Sequence, residues 1–289
     1  MRHPLALLAV AMSVAAVSPA TAQGTPADAA TPSLPTPEPQ PRRDTVSIAL
    51  GGAVQPRYEG SGDYVFGPGG ILRGEVSGIG FSTVGTALFV DIIPSRGDNR
   101  AKLVFGPVAQ VRVGRSSLRR IRDPQIQALG KIGATAELGA QLGVTKTGVI
   151  TSAFDIFSAN VAVQHDVGSV HKSTLITPSI NYGTPLSRTL FVGVNLSATH
   201  VGDGYAQRYF GVTPAQSLAS RLPVYTPRGG WKDAGGGAVV AASLSGDLRR
   251  GWSVFGLGNY ARLLGDFGRS PVVRDRNQWF AAAGVGYTF

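Results

Sequence analysis

From Asp44 to Phe289 the chain alternates apolar residues with polar or small ones, in runs of roughly ten, and Gly, Asp, Asn and Pro separate the runs. Period two is the signature of a strand with two unlike faces. The clearest run is Ile132–Thr145: Ile132, Leu138, Leu142 and Val144 fall on one face, and Thr135, Glu137, Gln141 and Thr145 on the other. The pattern recurs in Val46–Gln55, Leu103–Gly114, Thr174–Gly183 and Leu190–His200. Weaker copies occupy Gly70–Val76, Phe81–Ile92, Gly148–His165, Ala238–Leu248 and Ser253–Leu264, and Gln278–Phe289 closes the chain. These are eleven segments. A single-chain bacterial barrel takes an even number, so twelve strands are predicted, with ten as the other solution. Gly148–His165 changes parity between Ile156 and Val161. Pro107 and Pro178 each remove a ladder donor inside an assigned strand, so bulges or edges are expected there.

A soluble sandwich would alternate in the same way, and three features select a barrel instead. The polar face is rich in Gly, Ser and Thr with isolated charges at Arg73, Glu75, Arg112, Glu137 and Arg262, which suits a hydrated lumen with charges paired across it. Short turns at 145–148 and 247–251 contrast with long excursions at 201–233 and 264–276, as when one end faces the periplasm and the other the outside. Finally, Trp279, Ala281, Ala283, Val285, Tyr287 and Phe289 share one face of the last strand, with aromatics at both its ends. Ten residues at a rise of about 3.3 Å, tilted by about 40°, span roughly 25 Å, the height of a barrel's apolar band. The expected fold is therefore all-β: a transmembrane antiparallel β-barrel over 44–289. Tyr287 and Phe289 form the terminal signal that such barrels offer to the barrel-assembly machinery.

Composition removes most other classes. The chain has 289 residues, 39 Gly, no Cys, and only 15% charged residues. Disulfide scaffolds, Cys-ligated metals and thiol nucleophiles are excluded. The longest nearly unbroken apolar run, Leu5–Val17, is shorter than the about 20 residues a spanning helix needs. With Arg2 and His3 before it and Ala20-Thr21-Ala22 after it, residues 1–22 read as an export signal peptide. Residues 23–43 hold six prolines and no aromatic residue, and read as a disordered Pro-rich linker.

The formal net charge is +10, yet the basic residues are scattered apart from 42–43, 115–122 and 249–250, and no nucleic-acid-binding motif accompanies them. The expected partners of this charge are outer-membrane lipid and lipopolysaccharide rather than nucleic acid. Catalytic chemistry is thin. A hydrolase would have to pair His165 or His200 with Ser158 or Ser197, with no nucleophile-elbow motif near them, and no cofactor- or metal-binding motif is present. The run Gly235–Gly237 reads as a strand start or hinge. The best candidate for something beyond packing is the loop holding Tyr205, Arg208, Tyr209, Phe210, Arg221 and Tyr225, since aromatic and guanidinium groups are enriched at binding hot spots. The same residues would serve equally as a plug folded over the barrel mouth.

Several stretches together resemble the MipA/OmpV family of Gram-negative outer-membrane proteins, the MltA-interacting proteins. They are Pro56–Ser61 (PRYEGS), Tyr205–Val212 (YAQRYFGV) followed by Ser217–Tyr225, Leu263–Asp266 with Ser270–Val273, and the final Tyr287-Thr288-Phe289. The resemblance implies a non-enzymatic outer-membrane barrel that scaffolds murein enzymes, a lytic transglycosylase and a bifunctional murein synthase. It also leaves open a surface adhesin or stress-response role. Independently of the family, a small-solute channel would follow if the lumen were open, with Arg73, Lys102, Arg112 and Arg262 setting anion preference.

Overall fold

The computed structural model describes residues 44–94 and 101–289, so the expected signal peptide and linker lie outside the described residues. Twelve strands follow in chain order: β1 (Thr45–Pro56), β2 (Tyr64–Val76), β3 (Ile79–Val84), β4 (Ala87–Asp91), β5 (Lys102–Arg112), β6 (Thr135–Thr147), β7 (Ile156–Asp166), β8 (Thr174–Pro185), β9 (Leu190–Val201), β10 (Gly230–Ser243), β11 (Gly251–Leu263) and β12 (Asn277–Thr288). Each pairs antiparallel with its sequence neighbours, and β1 closes on β12 from Ser47↔Thr288 to Val54↔Ala281. Closure leaves no sheet edge, the condition for placing backbone polar groups in hydrocarbon.

The strand missing from the count lies inside Phe81–Ile92. That segment is a hairpin, β3 and β4, turning at Gly85-Thr86 between the paired Val84 and Ala87. Gly85 has φ +59°, the left-handed conformation such tight turns need. Alternation runs on through a two-residue turn, so the pattern concealed it. The parity change in Gly148–His165 also has a local cause: β7 begins at Ile156, and 148–155 is a turn wound around Asp155. That carboxylate accepts the N–H groups of Val149 (2.6 Å), Ile150 (2.8 Å), Thr151 (2.5 Å) and Ser152 (3.3 Å).

Pro107 and Pro178 each interrupt a ladder. Pairing of β4 with β5 stops at Phe89↔Val108, beside Pro107, and the Asp91 carboxylate takes the Phe105 N–H instead. On β8 the β9 ladder skips from Ile176↔His200 to Ser179↔Ser197 around Pro178, while pairing with β7 continues.

The outer face is apolar from Leu50, Leu72, Leu103, Leu138, Leu142, Ile180 and Leu196, all substantially exposed. Aromatic residues cluster towards its two borders. Trp231, Tyr260 and Trp279 lie near the end with the long loops, with Tyr260 and Trp279 ring centroids 4.7 Å apart; Trp252, Tyr287 and Phe289 lie near the end with the short turns, in edge-to-face contact with centroids 5.1 and 4.8 Å apart. These are the two girdles of a membrane barrel. The inner face is built of small and polar residues, half-buried along most of its height. The apolar core therefore sits in the cap formed by the long loops, not within the wall.

Candidate functional site

Four short helices lie in those loops: α1 (Pro124–Ala128), α2 (Asp203–Phe210), α3 (Pro214–Ser220) and α4 (Gly265–Arg269). In α2 the apolar positions are Tyr205, Ala206, Tyr209 and Phe210, spaced to one side of a helix, and all four are buried while Gln207 and Arg208 are exposed. Proline at the first position of α3 and a reciprocal Thr213–Gln216 capping box fix where that helix starts.

Two buried clusters result. Tyr205, Tyr209 and Phe210 pack with Ile132, Leu175, Val201, Leu263 and Phe267. Tyr58, Ile121, Ile126, Leu129, Val212, Leu222 and Val272 form the second. At about 1.5–3 kcal/mol for each large side chain fully buried, this packing is what holds the loops down. Among the hydrogen bonds that knit them are Ser270 Oγ to the Phe210 carbonyl (2.6 Å), the Tyr225 hydroxyl to the Asp266 carbonyl (2.8 Å), and the Tyr58 hydroxyl to the Val272 carbonyl (3.4 Å).

A polar network lies where the plug meets the wall. The Tyr205 hydroxyl donates to Glu59 Oε2 (2.7 Å), and the Tyr205 ring sits between two cations, Arg112 at 5.1 Å and Lys232 at 5.4 Å from its centroid. Lys232 pairs with Glu59 and, at 2.9 Å, with Asp233. Arg112 forks onto Glu137 at 2.6 and 3.1 Å, and His171 Nε2 stands 3.0 Å from the same carboxylate. Because His171 Nδ1 accepts the Ser173 N–H (3.2 Å), the ring carries its proton on Nε2 and donates it to Glu137. Ser173 Oγ in turn accepts the Tyr205 N–H at 2.9 Å, tying the network to α2. Asp166 accepts the backbone N–H groups of Gly168, His171 and Lys172 and the Thr135 hydroxyl. Burial opposes ionisation of Glu59, but Lys232 and Arg112 outweigh it and hold its carboxyl below the usual range. Burial pushes the Tyr205 phenol well above its ordinary value and that of Tyr209 up to about 12, so both remain protonated donors.

The structure thus brings together Tyr205, Tyr209, Arg112 and Glu137 from the expected set. Tyr205, Tyr209 and Phe210 serve the plug; Arg208 and Arg221 are exposed on its outer surface, and Tyr225 is half-buried. Arg73 and Glu75 face the lumen near the opposite end, where Arg73 pairs across to Ser47 and Ser82 in the ladders. Arg262 is a correction. It shares the outer face with Tyr260 and Trp279, because β11 and β12 pair Arg262↔Asn277 and Tyr260↔Trp279, and it belongs to the girdle border rather than the lumen.

The histidine–serine pairs are separated by the same parity. His200 meets Trp231 edge to face on the outer face (5.5 Å) while Ser197 faces inward; His165 bonds Thr174 on the outer face while Ser158 faces inward.

Glu59, Lys232, His171 and Asp166 escaped sequence reasoning. Glu59 lies in the PRYEGS stretch, where no local pattern marks it as a partner for Lys232. Lys232 and Asp233 both turn inward through a bulge between Trp231 and Asp233, which alternation cannot show. Among the described residues no group of three or more His, Cys, Asp or Glu could hold a metal ion.

Residues 48–289 match the family described as MltA-interacting protein MipA. Among solved structures the chain is similar to OccK11 (OpdR) of Pseudomonas aeruginosa, at 8% identity over 85% of this chain and 95% of that one, TM-score 0.29. It is also similar to OmpT of Vibrio cholerae, at 9% identity over 85% and 98%, TM-score 0.34. A bacterial polysaccharide outer membrane secretin aligns at 12% identity over 84% and 98%, TM-score 0.32. No curated protein matches the chain.

Proposed function

The chain belongs to the MltA-interacting protein family of outer-membrane barrels, and on that footing we propose that it is a non-enzymatic scaffold that offers a fixed periplasmic platform to murein-cleaving and murein-synthesising enzymes. The observation that carries this reading is the plug. Two buried apolar clusters and a paired charge network pack the long loops together at one end of the barrel, the outward end by the rule that periplasmic turns are short, and this supports a closed mouth. A barrel stoppered in this way is a poor conduit and a good rigid anchor. The family's name points to a lytic transglycosylase as one occupant of the platform.

Crosslinking in intact envelopes tests the reading. The expected result is recovery of a lytic transglycosylase, with or without a murein synthase, and comparison with a chain lacking 23–43 locates the contact on tail or turns. Envelopes that yield no murein enzyme would sink it. A channel is the second reading, favoured by the lumen charges Arg73, Glu75 and the Asp91–Lys102 pair (2.6 Å). Planar bilayers separate the two. The intact chain should be silent, and a variant with 203–228 replaced by a short Gly-Ser turn should conduct; steady conductance from the intact chain would install the channel reading instead.

A further inference from the structure

The loops of the outer end carry thirteen lysines and arginines against six acidic residues, which is most of the net positive charge of 44–289. One of these cations is not on the surface. Arg115 lies just after β5, is 3% exposed, and among the described residues its Nε and Nη1 have no hydrogen-bond acceptor. The groups that bear on its charge are Tyr58, Arg208 and Tyr209, with no carboxylate among them. Burial pulls the guanidinium down to about 10, which still leaves it charged at neutral pH. Arg112, three residues earlier, is by contrast forked onto Glu137.

A second orphan donor lies in the same cap and bears on the charge of Arg115. The Tyr209 hydroxyl is buried and has no acceptor among the described residues. Gly114, at φ +34°, passes so close to the Tyr209 ring that a Cβ there would stand 2.8 Å from it, so the backbone carrying Arg115 runs directly along that ring. Tyr58, which also bears on the charge of Arg115, lines a neighbouring cleft of about 190 Å³ together with Arg57, Arg122 and Arg274, and with Asp63 and Asp123. A buried guanidinium without a counter-charge is among the most destabilising arrangements a protein can hold, and a buried unpaired hydroxyl beside it adds to the cost.

We propose that the outer cap is an oxyanion-binding site, in which a phosphate-class group accepts from the Arg115 fork and from the Tyr209 hydroxyl and supplies the missing negative charge. Guanidinium geometry suits two parallel bonds to such a group, and the surrounding positive field concentrates it at the mouth. The phosphate arrives either from lipopolysaccharide in the surrounding leaflet or free from the medium. The site rests on these residues alone and stands or falls separately from the murein platform.

The test uses the full mature chain folded in detergent, reading the midpoint for thermal loss of the compact gel form while inorganic phosphate replaces chloride at constant ionic strength. The wild type should show a saturable rise. Arg115→Met should show none, and without phosphate should melt at or above the wild type, since it removes an unpaired buried charge. Tyr209→Phe should still saturate, with about tenfold weaker half-saturation. Should Arg115→Met not fold, Arg115→Lys, which keeps the charge without the fork, should give a weakened response. A second arm places the barrel in vesicles with phosphorylated or dephosphorylated lipopolysaccharide: an Arg115-dependent difference names the lipid as the source, and no difference with a positive titration names free phosphate. The proposal is overturned if the wild type shows no saturable rise, if Arg115→Met responds as the wild type does, or if chloride and phosphate act alike, which would make it an adventitious ion only.

Discussion

The two ends of the barrel are built by different rules. At the turn end, strands are joined by short connections, and the clearest local device is one carboxylate, Asp155, collecting the N–H groups of its own turn. That carboxyl feels the opposing pull of desolvation, but its backbone donors hold it well below the usual range. At the outer end, helices and loops far apart in sequence converge: Glu59 meets Lys232, Arg274 meets Asp123 at 2.6 Å, and Ser270 meets Phe210. At the turn end the contacts lie within a connection or reach the next strands of the sheet, as where Asp155 also accepts the Tyr182 hydroxyl; at the outer end they join loops far apart around the barrel. The wall between them needs neither, because its ladder and its apolar exterior suffice.

The largest effect should come from breaking the wall itself. Gly139 faces the lumen on β6 at a place where a Cβ would come 1.8 Å from the Val163 carbonyl oxygen on β7. Gly139→Val therefore cannot be accommodated by shifting a side chain; β6 and β7 would have to separate. The expected outcome is loss of the compact, fast-migrating form on unheated gels. Wild-type migration of this variant would show that wall and cap are not as distinct as drawn.

Next comes the network. Glu137 is fully buried and serves both Arg112 and His171. Glu137→Gln leaves the wall's shape unchanged but strips the counter-charge from Arg112, at a cost of about 3–5 kcal/mol for a broken buried pair. The barrel should still assemble, with a lowered thermal midpoint and a protease-sensitive 203–229 loop. A midpoint equal to the wild type would mean that the plug does not depend on this pair.

What the sequence disclosed follows the same division. Alternation exposed the wall because each strand reports its two faces through period two, and even Pro107 and Pro178 announced where the ladder would open. It fails at Gly85-Thr86, where a two-residue turn keeps the rhythm, and at Arg262, whose charge suggests the lumen although its pairing with Asn277, two residues from Trp279, places it outside. The cap was visible only as an unusual density of Tyr, Phe and Arg. Its partners, Glu59, His171 and Lys232, come from separate loops and from a bulge, and no local pattern joins residues that lie so far apart along the chain.

Acid should loosen the cap before the wall. Because Lys232 and Arg112 depress the Glu59 carboxyl against the effect of burial, its stabilisation is fully present above the ordinary glutamate range and is lost as pH falls through the depressed folded value. Glu59→Gln should weaken plug closure by about 1–3 kcal/mol at neutral pH, the scale of a hydrogen bond to a charged group. It should also flatten the acid dependence of proteolysis in the 203–229 loop. An acid profile unchanged by the substitution would remove Glu59 as the latch.

The smallest effect sharpens the comparison by acting on the cap without touching its core. Arg221 ends α3 in the left-handed conformation, φ 61°, a position where glycine carries no Cβ penalty and where its side chain is exposed. Arg221→Gly relieves that strain but enlarges the freedom of the unfolded chain, and the balance should favour the cap by about 0.5–1 kcal/mol. Proteolytic opening of the loop should slow several-fold at most, while the thermal midpoint of the whole barrel stays where it was. If the substitution moved both together, the cap would have to be counted as part of the wall's cooperative unit, and the two ends would differ in construction but not in stability.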